Sequence, residues 1–297
     1  MSSNIHGFNS FGNNNNNRNN DNNQNFRPAM LMSSENEPIG NIREETFPHF
    51  LKSMCCPHFT IKSVIFWVSL IDIIVYIITL CFGIQKSATE LLAPKYNTLD
   101  KFGMKIPSKI HSGQIHRLIL FGILHANLIH ICMNLFSQII VGSLYEYHVG
   151  LLNAGLVYLL SNIGGGIFSC LISNSPGVGA SVAIFGILGA YLSFNLINWN
   201  YLDRVMGPMN KFCNLIFMIM IVFINISYGF NNSMIDNWGH LGGLLFGFFL
   251  GFVFVKVHDE GDGVLFNSKI WRNIGIVVSI VLFVCFSFCF FVLRHPV

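Results

Sequence analysis

Seven blocks of apolar residues dominate the chain from residue 63 onward, each close to the ~20 residues a helix needs to cross a hydrocarbon layer. They run roughly over 63–84, 127–146, 151–173, 180–198, 212–229, 237–257 and 272–293. Lipid offers no partner for a backbone N–H or C=O, so seven helices are the expected outcome. The pattern predicts an all-α polytopic membrane protein. Composition agrees, because only 10% of the 297 residues are charged and 52% are hydrophobic. An ordinary soluble domain carries about 25% charged residues. Such a chain cannot cover a water-facing surface, which excludes a soluble globular enzyme. The net charge of +3, with no basic patch among aromatics, argues against nucleic acid as a partner. The lipid bilayer is the first partner implied.

Residues 1–60 form a hydrophilic tail rich in Asn, including the run Asn13 to Asn17. Such a tail buries too little apolar area to offset its ordering entropy, so disorder is expected. It lacks an apolar h-region, so the first span is expected to act as the targeting signal. Residues 61–258 hold six spans and a long first loop, 85–126, whose scattered apolar residues suit a segment in or on the interface. Apolar character begins at Leu118, too early for one straight span, so the front of that block belongs to the loop. Residues 259–297 supply a linker and the seventh span. Cys55 and Cys56, just before the first span, are candidate palmitoylation sites.

A cytoplasmic N-terminus puts Arg204, Lys211, Lys256, Lys269 and Arg272 on the cytoplasmic side, as the positive-inside rule requires. The long loop, with Lys86, Lys95, Lys101, Lys105, Lys109 and Arg117, opposes that rule. The downstream loops agree with one another, so a cytoplasmic N-terminus and an exoplasmic C-terminus are expected. The membrane expected is the plasma membrane or one of the secretory pathway. The sequon Asn231-Asn232-Ser233 then falls on the exoplasmic side.

A charged side chain at a helix centre costs about 2.5–3.5 kcal/mol on the gentler insertion scale, so each polar group in a span asks for a reason. The groups are Asp72, His125, His130, Asn134, Glu146, Ser181 and His240. Ser181 follows Gly177-Val178-Gly179-Ala180, a glycine turn that opens the fourth span. Helix N-terminal N–H groups there can hold an oxyanion, although a serine that caps or packs a helix fits the same pattern. His240 shares a helical face with Gly243 and Gly247, and the fourth span answers with Gly186, Gly189 and Ala190. If those faces meet, the imidazole reaches the Ser181 hydroxyl and can activate it as a base. A structural or proton-relaying histidine remains the alternative.

His130 and Asn134 also share a face, and both donate hydrogen bonds while neutral, as an oxyanion site in low dielectric requires. His125 fits the junction of loop and helix. No carboxylate or Cys has spacing for a third metal ligand, so neither a metal nor any other cofactor is expected. Glu146 is expected to fix the turn at Tyr147-His148. Asp236 is either a triad acid or, more plainly, a helix N-cap. Asp72 needs a partner inside the bundle that the sequence does not name.

Together these groups resemble the rhomboid intramembrane serine proteases, from about Leu91 to Gly251. Gly113-Gln114-Ile115-His116-Arg117 is similar to the family's Gly-Gln-x-Trp-Arg segment, with His116 in place of Trp. His125, His130 and Asn134 match its His-x4-His-x3-Asn pattern. Gly179-x-Ser181 and His240-x2-Gly243-x3-Gly247 match its nucleophile and histidine motifs. The resemblance implies a six-helix rhomboid-like bundle, here with one additional C-terminal transmembrane helix. It implies a dyad in which Ser181 is nucleophile and His240 is base and then acid. His130 and Asn134 would join the Ser181 N–H in the oxyanion hole, and Phe185 would pack on the imidazole. Gly179 would permit close backbone approach, and Arg117 would belong to the first-loop motif. The substrates implied are single-pass transmembrane proteins cut within or near their spans. His116 is expected to alter loop placement without loss of activity. Two other classes remain: a non-catalytic rhomboid-like protein that binds membrane clients, and a channel or transporter using its histidines for protons.

Overall fold

The computed structural model describes residues 60–85, 91–230, 235–258 and 268–294. The tail before Thr60, with Cys55 and Cys56, lies outside the described residues, as do Lys86, the sequon at 231–233 and the linker 259–267. The described residues form α1 (Val64–Cys81), α2 (Tyr96–Phe102), α3 (Pro107–His111), α4 (Arg117–Leu120), α5 (Leu128–Val149) and α6 (Leu151–Ile172). They continue as α7 (Ser181–Ile197), α8 (Trp199–Met206), α9 (Pro208–Phe230), α10 (Asn237–Phe254) and α11 (Ser268–Leu293). Among the described residues there is no strand, only isolated bridges at Ile84–Pro94 and Lys105–Gly177.

Each of the seven expected spans coincides with one long helix. Five of these, α1, α5, α6, α10 and α11, are long and apolar enough to cross a membrane by themselves. The outward surfaces of the long helices are apolar: Trp67 and Ile77 on α1, Phe217 and Phe223 on α9, and Val277 and Val284 on α11 are exposed. That arrangement suits lipid as the solvent. The front of the second apolar block is separate, as expected: α4 and a 3-10 turn at Phe121–Ile123 precede α5. Asn127 caps α5 by accepting from the His130 N–H at 2.8 Å.

The helix α7 is the exception in length and in setting. It has 17 residues, and only Ser181, Leu192 and Leu196 keep partial exposure. At its C-terminal end the chain turns by 85° into α8, where Lys211 pairs with Asp203 at 3.0 Å and lies 4.2 Å from the Trp199 ring centre. A helix of this length spans about 25 Å, against a hydrocarbon layer of about 30 Å. Ser181 stands at the other end of this helix.

The partner of α7 is α10, and the two meet through backbone. A Cβ on Gly243 would run into the Val182 carbonyl, one on Gly247 into the Gly186 carbonyl, and one on Gly189 into the Leu244 carbonyl. This is the small-residue contact the sequence predicted, with no room for a methyl group. The seventh span, α11, covers α10 through Phe246–Phe283 and Phe252–Trp271 ring contacts of 4.5 and 5.0 Å. Its end reaches the first loop, where fully buried Phe290 packs with Ile110, Leu118, Ile167 and Cys170.

Two acids in the spans find partners that the sequence did not reveal. Asp72 accepts from Gln138 Nε2 at 3.2 Å, and the same amide donates to Ser69 at 2.9 Å. Tyr158 donates to Gln138 Oε1 at 2.7 Å. Gln138 opens a π-helical turn, Gln138–Gly142, within α5. Glu146 corrects the expectation for it. It does not serve the Tyr147-His148 turn; its carboxylate caps α1, accepting from Ser63 Oγ at 2.7 Å and from the Val64 and Ile65 N–H groups at 3.1 and 3.2 Å.

Candidate active site

Ser181 opens α7, and the residue before it, Ala180, supplies no side-chain cap. The hydroxyl is therefore not spent on capping. It lies 2.8 Å from His240 Nε2. The contact exists because α7 and α10 touch along their glycine faces, which brings the first turn of each helix to the same depth. The imidazole is buried, and its other face is set by Phe185, whose ring stacks at 4.4 Å with an interplanar angle of 3°. A serine next to a neutral imidazole can lose its proton only as it attacks, so this pair suits nucleophilic chemistry.

Asp236 is an N-cap. Its Oδ1 accepts from the Gly239 N–H at 3.0 Å and from Ser169 Oγ at 2.6 Å, and its Oδ2 pairs with Lys105. His240 Nδ1 has no hydrogen-bond partner among the described residues, so the pair carries no carboxylate. Burial pushes the Asp236 carboxyl up, but Lys105 beside it and the bonds from Ser169 and Gly239 hold it below its ordinary value.

His130 and Asn134 face the serine loop from α5. Gly179 has φ +127°, a left-handed conformation that favours glycine, and a Cβ there would sit 2.7 Å from His130 Cε1 and 3.5 Å from Asn134 Nδ2. The turn before Ser181 thus lies against both side chains. Asn134 is buried, and its Nδ2 donates to nothing among the described residues. The Ala126 N–H points to His130 Nδ1 at 3.5 Å. His125 is fully buried, its ring edge-on to His130 at 5.4 Å between centres.

Arg117 is buried in the first loop and organises it. Its guanidinium donates to Gln114 Oε1 at 2.7 Å, to the Asp100 and Met104 carbonyls at 3.0 and 2.7 Å, and to Asp100 Oδ1 at 3.0 Å. His116, where the motif has Trp, is exposed. Of the loop cations that opposed the positive-inside rule, Lys105 pairs with Asp236, and Lys109 and Arg117 pair with Asp100.

The residues missed from sequence are Lys105 and Ser169. Lys105 is fully buried, and its Nζ donates to Ser169 Oγ at 2.5 Å as well as to Asp236. The signal was present in Asp236, an acid at the mouth of a span, which demanded a counter-charge from some loop.

A family model described as the rhomboid domain matches residues 112–257. The rhomboid-like protease 1 of Toxoplasma gondii is 34% identical over 268 residues, 88% of this chain and 87% of that protein. The rhomboid-like protease 2 of the same organism is 35% identical over 202 residues, 66% of this chain and 67% of its own length. The RHOMBOID-like protein 6, mitochondrial, of Arabidopsis thaliana is 40% identical over 180 residues, covering 60% of this chain and 56% of the plant protein.

Proposed function

The chain belongs to the rhomboid family, and from that premise we propose that it is an intramembrane serine endopeptidase acting through a Ser181–His240 dyad. The observation that carries this reading is the 2.8 Å separation of Ser181 Oγ and His240 Nε2 at the start of a short, buried helix. His240 Nε2 takes the hydroxyl proton as Ser181 Oγ attacks the scissile carbonyl. The oxyanion accepts from the Ser181 N–H, from Asn134 Nδ2 and from His130 Nε2. The Ala126 N–H directed at His130 Nδ1 favours the tautomer with its proton on Nε2, the donor this role needs. The tetrahedral intermediate collapses to an acyl-enzyme as His240 returns the proton to the departing amine. A water deprotonated by His240 then attacks the ester, and as the bond to Ser181 Oγ breaks, His240 returns that proton to Oγ and the acid product leaves.

The substrates proposed are single-pass transmembrane proteins, cut within or near their spans, a reading supported by a nucleophile that opens a buried helix too short to cross the hydrocarbon layer by itself. The N-terminus is proposed to be cytoplasmic and the C-terminus exoplasmic. The cations at the α8 end, Arg204 and Lys211, support that orientation, which leaves Ser181 nearer the exoplasm. Glycan occupancy at Asn231 tests it. The proteolytic reading is tested by co-expressing tagged single-pass proteins with the wild type or Ser181→Ala. The expected result is shed fragments from the wild type alone. Client binding without cleavage by either form would instead identify a non-catalytic relative.

A further inference from the structure

Four elements frame the dyad: the first loop, α6, the loop that leads to Ser181, and the first turn of α10. All four converge on one lysine. The backbone of Lys105 exchanges two hydrogen bonds with Gly177, each 3.0 Å, four residues before Ser181. Its ammonium donates to Ser169 on α6 at 2.5 Å and to Asp236, four residues before His240. Asp236 in turn accepts from Ser169 and from the Gly239 N–H, and its carbonyl accepts the His240 N–H at 2.9 Å. A Cβ at Gly177 would stand 3.0 Å from Lys105 Cε and 3.3 Å from Asp236 Oδ2, so the serine loop lies directly on this ion pair.

We propose that Lys105 is a positioning residue, which with Asp236 and Ser169 locks the nucleophile loop and the base helix into one register. This rests on the dyad reading above. The ammonium is fully buried and all its charge is spent on Asp236 and Ser169, so it is not a substrate-binding group. Its place is structurally unusual, because a buried charge is retained only where its partners satisfy it. Here the partners lie on separate elements, 64 and 131 residues away, so satisfying the charge also fixes those elements against each other.

The test uses the full chain in proteoliposomes with a tagged single-pass substrate, and competent serines counted by fluorophosphonate labelling carried to completion. Lys105→Met is expected to lower kcat per labelled serine by about 100-fold, the cost of a displacement near 1 Å, with KM close to wild type. Ser169→Ala, which keeps the ion pair, is expected to lose less. Lys105→Met leaves Asp236 unpaired and so threatens folding. The double variant Lys105→Met/Asp236→Asn removes both charges, and is expected to regain thermal stability without regaining the rate. A merely structural lysine would change the number of labelled serines and leave kcat per serine unaltered. Wild-type kcat per serine in Lys105→Met, or in the double variant, would overturn the inference alone. A wild-type chain that neither labels nor cleaves would overturn the protease reading and this inference together.

Discussion

Asn134 and Gln138 sit one turn apart on α5, both buried amides, and they are used in opposite ways. Gln138 is fully engaged: its amide group donates to Ser69 and Asp72, and its oxygen accepts from Tyr158. Asn134 keeps a donor without an acceptor among the described residues, aimed at the loop before Ser181. An unmade buried hydrogen bond costs about 1–3 kcal/mol, so it persists only where something offsets it. By the dyad Asn134 keeps an unspent donor, whereas further along α5 Gln138 and Glu146 spend their polar groups on α1 and α6, although the Ser143 and Tyr145 hydroxyls between them find no partner among the described residues. On the proposed dyad reading, the difference between these two amides separates a group kept for the reaction from one kept for the bundle.

That division can be broken in two ways, the larger effect first. Asn134→Ala is expected to lower kcat by about 100- to 1,000-fold, the usual loss of one oxyanion donor. Its melting temperature in detergent should not fall, since no bond is broken. Gln138→Leu should do the reverse. It strands Asp72 and Tyr158 and is expected to cost about 1–3 kcal/mol of stability per stranded group, with kcat per labelled serine preserved. A stability loss in Asn134→Ala, or a rate loss in Gln138→Leu, would erase the distinction.

The smallest effect concerns the first loop. Lys109 first, and then Arg117, hold the Asp100 carboxyl below its ordinary value of 3.8. A depressed carboxylate stabilises the fold above its unfolded value and loses that contribution as pH falls through the lower folded value. Asp100 is a quarter exposed, so its contribution is about 1 kcal/mol or less. Melting followed from pH 6 down to below 3.8 should fall for the wild type, and Asp100→Asn should lose that part of the decline.

The spans were legible in the sequence because lipid forces a continuous apolar run for each, and the α7–α10 contact because glycines at helical spacing mark a close approach. Ser181 and His240 were legible for the same reason, as polar groups on those faces. The partners of Asp72, Glu146 and Asp236 were not. Each bonds a residue at least 66 positions away, Gln138, Ser63 and Lys105 respectively, and no local periodicity encodes such a pairing. Lys105 was further disguised, since counting it as a free loop cation hid that its charge is spent inside the protein.

The dyad itself is tested most directly by labelling intact membranes with a fluorophosphonate and locating the modified residue by mass spectrometry. The expected result is modification of Ser181 in the wild type, lost in His240→Ala even though that serine is still present. Labelling of Ser181 at wild-type rate in His240→Ala would contradict a base at 2.8 Å as the source of its reactivity.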